Sequence, residues 1–374
     1  MKILLTGGGT GGHFYPLMAI AEELNRIADE ERLLHMKLYY MADSPYDKTL
    51  LDEQFITFIP ITAGKLRIYF SYKNIIDIFK TGFGIVTSLY KVFNLYPDVV
   101  ICKGGYASFP VVVAARILNI PVIVHESDTV PGRVNKWAGK FAVRVALSYP
   151  EAAVYFKPEV VSVTGQPVRR AITYAAQEGA KEFFELDPTI KTIGIVGGSL
   201  GAKVINDATT AIIQELIKDY QVIHQTGKTN FEDTKTDAHI ILGEDIHRSR
   251  YKLFPSMNTL ETKMFGGASD IIISRAGSML FEIAAWGKPS IIIPITSTNG
   301  DHQRKNAYHY ARSGACVVIE EANLTDSVLL NEIRLILEHS DRYDTMVGHA
   351  KAFYTGNAAH TIAREAITIA LTHE

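Results

Sequence analysis

A chain of 374 residues with a formal charge of −2 is long for one domain and favours two, and its balanced charge excludes a general nucleic-acid binder, which needs a marked basic excess. Cysteine is confined to Cys102 and Cys316, each in an apolar stretch, which excludes a disulfide framework and a Cys-x-x-Cys metal or redox pair. The N-terminus enters a strand without a charged leader, and no apolar run reaches the roughly 20 residues of a membrane span, so the chain reads as cytosolic rather than secreted or membrane-spanning.

The chain opens with Leu4-Leu5-Thr6, then Gly7-Gly8-Gly9-Thr10-Gly11-Gly12-His13, then a helix expected to start at Pro16 with Leu17, Ile20, Ala21, Leu24 and Ile27 on one face. The first N–H groups of such a helix point into the glycine loop and invite an anion. Gly7, Gly9 and Gly12 also fit the G-x-G-x-x-G spacing of a dinucleotide site, with Asp43 placed as a ribose-binding acid. A tight turn without a ligand fits as well, but a P-loop is excluded, since no Gly-Lys-Ser/Thr follows. His13 is a candidate proton acceptor or a hydrogen bonder at the helix start.

Strands are predicted at residues 37–42, 55–61 and 98–102, alternating with helices, which implies parallel pairing and a doubly wound α/β sheet. Residues 64–96 are dense in apolar and aromatic side chains, from Leu66, Ile68 and Tyr69 to Phe83, Leu89 and Phe93, with Lys65, Arg67, Lys73, Lys80 and Lys91 against the single acid Asp77. That composition suits a helix lying on an anionic bilayer surface, and equally a buried crossover helix with a solvated rim. Strand 98–102 ends in Lys103-Gly104-Gly105-Tyr106, and strand 122–124 ends in His125-Glu126-Ser127-Asp128. Loops at the C-terminal edge of a parallel sheet form the ligand crevice. His125 or Glu126 could instead cap the helix expected near Gly132.

Residues 160–163 close the first half, with a hinge at Gly165-Gln166-Pro167. The architecture then repeats: strand 192–196, the loop Gly197-Gly198-Ser199-Leu200-Gly201, and a helix from Ala202 with Val204, Ile205, Ala208, Ile212 and Leu216 on one side. Duplication of the strand–glycine–helix unit predicts two Rossmann-like domains facing across a cleft, 1–165 and 166–374, with a final helix near 357–372 free to pack back on the first. Strand 270–274 leads to Arg275-Ala276-Gly277-Ser278 and a helix stopped by Gly287 and Pro289. Glu282, near that helix start, suits either the vicinal hydroxyls of a ribose or the helix dipole. Asn299 and Gln303, around the polar loop after strand 290–293, suit sugar hydroxyls or ordinary caps.

Gly-Gly-Thr-Gly-Gly-His at 8–13, Gly-Gly-Tyr at 104–106, His-Glu at 125–126, Thr-Gly-Gln-Pro-Val-Arg at 164–169, Gly-Gly-Ser-Leu-Gly-Ala at 197–202 and Ser-Arg-Ala-Gly at 274–277 resemble, in order and along nearly the whole chain, the family 28 glycosyltransferases that add N-acetylglucosamine to the undecaprenyl-linked peptidoglycan precursor. The resemblance implies a GT-B fold and inverting transfer from UDP-N-acetylglucosamine, bound mainly by the C-terminal domain. The acceptor is N-acetylmuramic acid on its lipid-linked peptide, at the N-terminal domain, and the site of action is the inner face of the cell membrane. No cofactor or metal is implied, and no Asp-x-Asp occurs in the chain.

By the same resemblance, Thr10, Gly11 and Gly12 line the donor–acceptor junction, joined in the acceptor half by Tyr106 and Glu126. Arg169 lies near a phosphate. Ser199, Leu200 and Gly201 face the donor diphosphate; Arg275, Gly277 and Ser278 form the turn beside the uracil; Glu282 takes the ribose and Gln303 the sugar. His13 is the family's usual base. The chain departs from the family pattern at Ser127-Asp128, where Gln-Asn is usual, at Gln166, where Asn is usual, and in having four residues rather than five between Gly277 and Glu282. Asp128 is therefore a second candidate base, or a group that orients an imidazole. Other readings are a GT-B lipid glycosyltransferase such as a diacylglycerol glycosyltransferase, a UDP-N-acetylglucosamine 2-epimerase, an NAD-dependent dehydrogenase, and a membrane-docked scaffold that binds nucleotide sugar without turnover.

Overall fold

The computed structural model describes residues 1–33, 35–65, 73–198, 201–296 and 299–372, with the side chains of 73–75 and 299 outside the description. The chain divides into two compact units, Met1–Arg169 with Thr355–Glu374, and Arg170–Tyr354.

The first unit holds strands β1 (Lys2–Gly7), β2 (Lys37–Ala42), β3 (Ile56–Pro60), β4 (Val99–Gly104), β5 (Val122–Glu126), β6 (Arg144–Leu147) and β7 (Val161–Val163). All pair in parallel, in the order β3-β2-β1-β4-β5-β6-β7. Both faces are covered, so the strands carry apolar residues on both sides. Ile3 and Leu5 enter the core made with the helix Gly11–Glu30, while Leu4 points to the opposite core with Val100, Cys102 and Val124. The terminal helix Ala358–Thr372 belongs to this unit. Ile362, Ala363, Ala366, Ile367 and Ala370 join the core of the first helix, and an Arg144–Glu365 ion pair at 2.7 Å and a contact of His360 Nδ1 with Glu23 at 3.3 Å edge the interface.

The second unit repeats the plan with β8 (Thr192–Val196), β9 (Gln221–Gln225), β10 (Tyr251–Phe254), β11 (Ile271–Ser274), β12 (Ser290–Ile292) and β13 (Cys316–Val318), parallel in the order β10-β9-β8-β11-β12-β13. On the helix Lys203–Asp219, Ile205, Ile212 and Leu216 are buried as expected. Val204 is not: it is 42% exposed, because it falls one position off the buried stripe.

The helix Lys73–Leu95 packs on the neighbouring Ser108–Ile117. Its outer face carries Ile76, Phe79, Phe83, Val86, Tyr90 and Phe93, each more than half exposed. The expectation of a buried crossover helix with a solvated rim holds for the inner side, where Ser88 and Val92 are buried, but the outer side is apolar rather than polar; residues 66–72 lie outside the description. Among the described residues no helix is long and apolar enough to cross a membrane.

Candidate functional site

In each sheet the strand order reverses between two neighbours, β1 and β4 in the first and β8 and β11 in the second, and ligands of open parallel sheets bind at that crevice. At the first crevice the loops after β1 and β4 touch. A Cβ on Gly105 would stand 2.5 Å from the Gly8 carbonyl oxygen, and Gly105 has φ +84°, so space and backbone each require glycine there. Tyr106 packs its ring on Gly9 and donates its hydroxyl to Asp43 Oδ2. Burial and that carboxylate push its pKa up to about 12.

The first helix begins at Gly11 rather than at Pro16. Thr10, Gly11, Gly12 and His13 are its first turn, with the Thr10 carbonyl accepting the amides of His13 and Phe14 at 3.1 and 3.2 Å. Pro16 forfeits one bond, to the Gly12 carbonyl, and buries its ring in exchange. His13 Nδ1 meets Thr10 Oγ1 at 3.0 Å. One turn on from Gly11, Tyr15 supports the buried Arg169, whose guanidinium lies 4.5 Å over the ring.

The structure corrects the third turn. His125 and Glu126 are the last residues of β5, both buried. Glu126 spends its carboxylate internally: Oε1 accepts the Asp128 amide at 3.0 Å, and Oε2 accepts the Gly132 amide at 3.0 Å and Asn135 Nδ2 at 2.9 Å, so it anchors the start of the helix Arg133–Ala138. Burial and Asp128 raise its pKa, against Lys103 and these donors. Ser127 and Asp128 form the turn proper. Ser127 and Ser148 both donate to Gln166 Oε1, at 2.6 and 2.8 Å. Two of the positions singled out in the sequence, 127 and 166, are thus in contact.

In the second unit, Ser199 and Leu200 lie outside the described residues. Gly201, at φ +77°, comes so near Thr226 that a Cβ would fall 2.2 Å from its carbonyl oxygen. Among the described residues no side chain caps the helix that follows, and the first N–H groups of a helix point into the loop ahead of it. The helix Met279–Trp286 also starts uncapped, with half-buried Glu282 in its first turn and Gly277 and Ser278 just before it. Arg275 is buried and turned inward, donating to the Ile293 carbonyl at 2.9 Å and pairing with Glu321 at 2.7 Å. Gln303 Oε1 accepts the Ile295 amide at 3.2 Å. Among the described residues no group of three His, Cys, Asp or Glu stands close enough to hold a metal ion.

Sequence reasoning passed over Lys103 and Glu321. Lys103 closes β4 with its side chain buried; burial lowers its pKa while Glu126 and Asp128 oppose the shift. A lysine ending a wholly apolar strand just before two glycines was the available signal. For Glu321 there was none, because its partners lie 25 residues and more away in sequence.

Doubled Rossmann-like sheets, each with a glycine loop leading into a helix at its switch point, define a two-domain α/β enzyme of the GT-B type, built for nucleotide-linked substrates. The chain belongs to glycosyltransferase family 28, matching its N-terminal domain over residues 3–147 and its C-terminal domain over 192–362. It is 33% identical over 356 residues, 94% of this chain and 95% of the other, to a Clostridium botulinum protein named UDP-N-acetylglucosamine–N-acetylmuramyl-(pentapeptide) pyrophosphoryl-undecaprenol N-acetylglucosamine transferase. Among solved structures, MurG of Acinetobacter baumannii matches with a TM-score of 0.70 at 24% identity, covering 98% of this chain and 99% of that one. A Neisseria meningitidis UDP-GlcNAc 2-epimerase bound to UDP-GlcNAc matches with 0.71 at 16%, covering 98% and 100%. Fold alone therefore does not separate transferase from epimerase; the sequence relationship does.

Proposed function

We propose that this protein transfers N-acetylglucosamine from UDP-N-acetylglucosamine to the C4 hydroxyl of N-acetylmuramoyl-pentapeptide carried on pyrophosphoryl-undecaprenol, a step of peptidoglycan synthesis. The observation that carries the reading is the near full-length relationship to the Clostridium botulinum transferase named for this reaction. The acceptor oxygen attacks C1 as the C1–O bond to the diphosphate breaks with inversion, and UDP departs with the bonding electrons. Charge grows on UDP while the sugar ring becomes oxocarbenium-like, so fixed positive potential near the diphosphate speeds the step. The helix start after Gly201 supplies it, Glu282 holds the ribose, and the turn at Gly277 and Ser278 seats the uracil.

His13 takes the acceptor proton. For Nε2 to be the base, Nδ1 carries the hydrogen and donates it to Thr10 Oγ1, the 3.0 Å contact already present. Gly11, Gly12, Tyr106 and Asp128 border the same sheet edge on the acceptor side. The lipid-linked substrate calls for a membrane surface, and the exposed face of Lys73–Leu95 suits peripheral attachment at the cytoplasmic leaflet. The test is transfer of labelled N-acetylglucosamine to a lipid-linked muramyl-pentapeptide, with UDP release followed in parallel. Acceptor-independent conversion of the donor to its C2 epimer, without labelled lipid, would overturn the proposal in favour of the epimerase.

A further inference from the structure

The exit of β12 is held from both neighbouring strands and from the helix ahead. From the turn after β11, Arg275 Nη1 donates to the Ile293 carbonyl at 2.9 Å. From the short turn Glu321–Asn323 after β13, Glu321 pairs with Arg275 Nη2 at 2.7 Å. Its other carboxylate oxygen accepts the Thr296 hydroxyl at 2.9 Å and the Thr296 amide at 3.3 Å. The helix His302–Arg312 sends back Gln303, whose Oε1 takes the Ile295 amide. Positions 293, 295 and 296 are thus each fixed by a side chain, and an ion pair bridges across the strand end.

Both charged side chains are largely shielded, at 10% and 19% exposure. A desolvated ion pair adds little net stability unless its remaining hydrogen-bonding capacity is filled, and its better-attested use is to specify one arrangement. Here that capacity is filled by Thr296 and Ile293. Burial acts to raise the Glu321 pKa, but the bonds from Thr296 and Arg275 overcome it and hold the carboxyl below its usual range, so the pair is ionised at neutral pH. One consequence falls on Gln303. With Oε1 committed to Ile295, its amide is oriented and Nε2 keeps the N–H donors for another partner.

We propose that Glu321 is a positioning residue: through Arg275 and Thr296 it fixes the exit of β12 so that Gln303 presents its amide N–H to the hydroxyl oxygens of a nucleotide-linked hexosamine. The assignment rests on reading this half as the UDP-sugar site. It differs from a general folding role in one respect, since Glu321 then governs recognition of the sugar and not of UDP.

The experiment compares wild type, Glu321→Ala, Glu321→Gln and Thr296→Val by donor KM and kcat for UDP-N-acetylglucosamine and by the inhibition constant of UDP. Glu321→Ala is expected to raise donor KM about tenfold with kcat changed less than about twofold, the size of a lost charge-assisted hydrogen bond. Glu321→Gln, which keeps the shape and an acceptor for Thr296, is expected to raise it about threefold and carries the test if the alanine variant folds poorly. The UDP inhibition constant should move less than about twofold in every variant, and Thr296→Val added to Glu321→Ala should cost nothing further. Equal loss of UDP and UDP-sugar affinity, or no change in either, would overturn the inference. Failure of wild type to bind UDP-N-acetylglucosamine in calorimetry would instead overturn the site reading itself.

Discussion

At the scale of single residues, the chemistry turns on which polar groups are committed inside the protein and which face a substrate. His13 is held at Nδ1 by Thr10, and its other nitrogen is the one proposed to take the acceptor proton. His13→Ala is expected to lower turnover by about 10² to 10⁴, the range of general-base catalysis. Thr10→Val, which removes the oxygen that fixes the tautomer, should cost roughly tenfold in turnover at unchanged donor KM. Asp128 presents a separate question. It stands after β5, with β4 between its strand and β1, and its backbone amide is tied to Glu126. If it shares the proton-transfer role, Asp128→Asn lowers turnover by about tenfold and moves the acidic limb of the pH profile. An unchanged rate and profile would leave His13 as sole base.

At the scale of elements, the helix Lys73–Leu95 matters most. Ile76, Phe79, Phe83, Val86, Tyr90 and Phe93 follow one another at alternating three- and four-residue steps, which places them along one face. Lys80 is exposed beside them, and the segment's one acid, Asp77, is buried, so the outward surface is apolar with a cationic fringe. Flotation with anionic vesicles is expected to carry the protein upward, with partial release at high salt, since each basic residue near the surface contributes about 1 kcal/mol. Phe79→Ser with Phe83→Ser should abolish flotation while leaving thermal stability nearly unchanged, because both side chains are already exposed. Flotation retained by this double variant would assign membrane contact to another surface.

At the scale of the whole molecule, each unit contains a fully buried histidine kept neutral. In the second, His224 donates from Nε2 to Asn206 Oδ1 at 3.0 Å and accepts at Nδ1 from Tyr251 at 2.8 Å, and burial holds its pKa down to about 3. In the first, burial and then Lys103 hold His125 well below its ordinary value. A depressed folded-state pKa means that the unfolded chain binds the extra proton first. The associated stability is complete above about pH 6.5 and is lost as the pH falls toward the folded value, by up to about 1.4 kcal/mol per pH unit for each histidine. Urea unfolding between pH 7 and 5 should show this slope, flattened by His224→Gln, and a slope unaffected by that change would refute the assignment. The terminal helix gives a second test of the whole. Ile367 is buried in the first unit's core beside the first helix, so Ile367→Ala should destabilise that unit by about 2 to 5 kcal/mol in denaturant unfolding.

The doubled architecture and its crevices were legible in the sequence. Strand runs, glycine loops and helix periods are local patterns, with the determining residues only a few positions apart, and the duplication of strand, glycine loop and helix announced two sheets of the same kind. Tertiary structure decided which polar residues remain available. Glu126 and Arg275 read as site residues from their loops, yet each is turned inward by partners distant in sequence, Asn135 and Glu321 among them. The apolar density of residues 73–95 fitted a buried helix and a surface helix equally, because periodicity states that a face is apolar but not what covers it. Ser127 and Gln166, 39 residues apart along the chain, proved to be hydrogen-bonded neighbours. The terminal helix likewise crosses back to the first unit, a placement set by its complementarity to a helix more than 300 residues earlier. Local chemistry is written in neighbouring residues, whereas the commitment of a charge or an apolar face depends on contacts that exist only once the chain has folded.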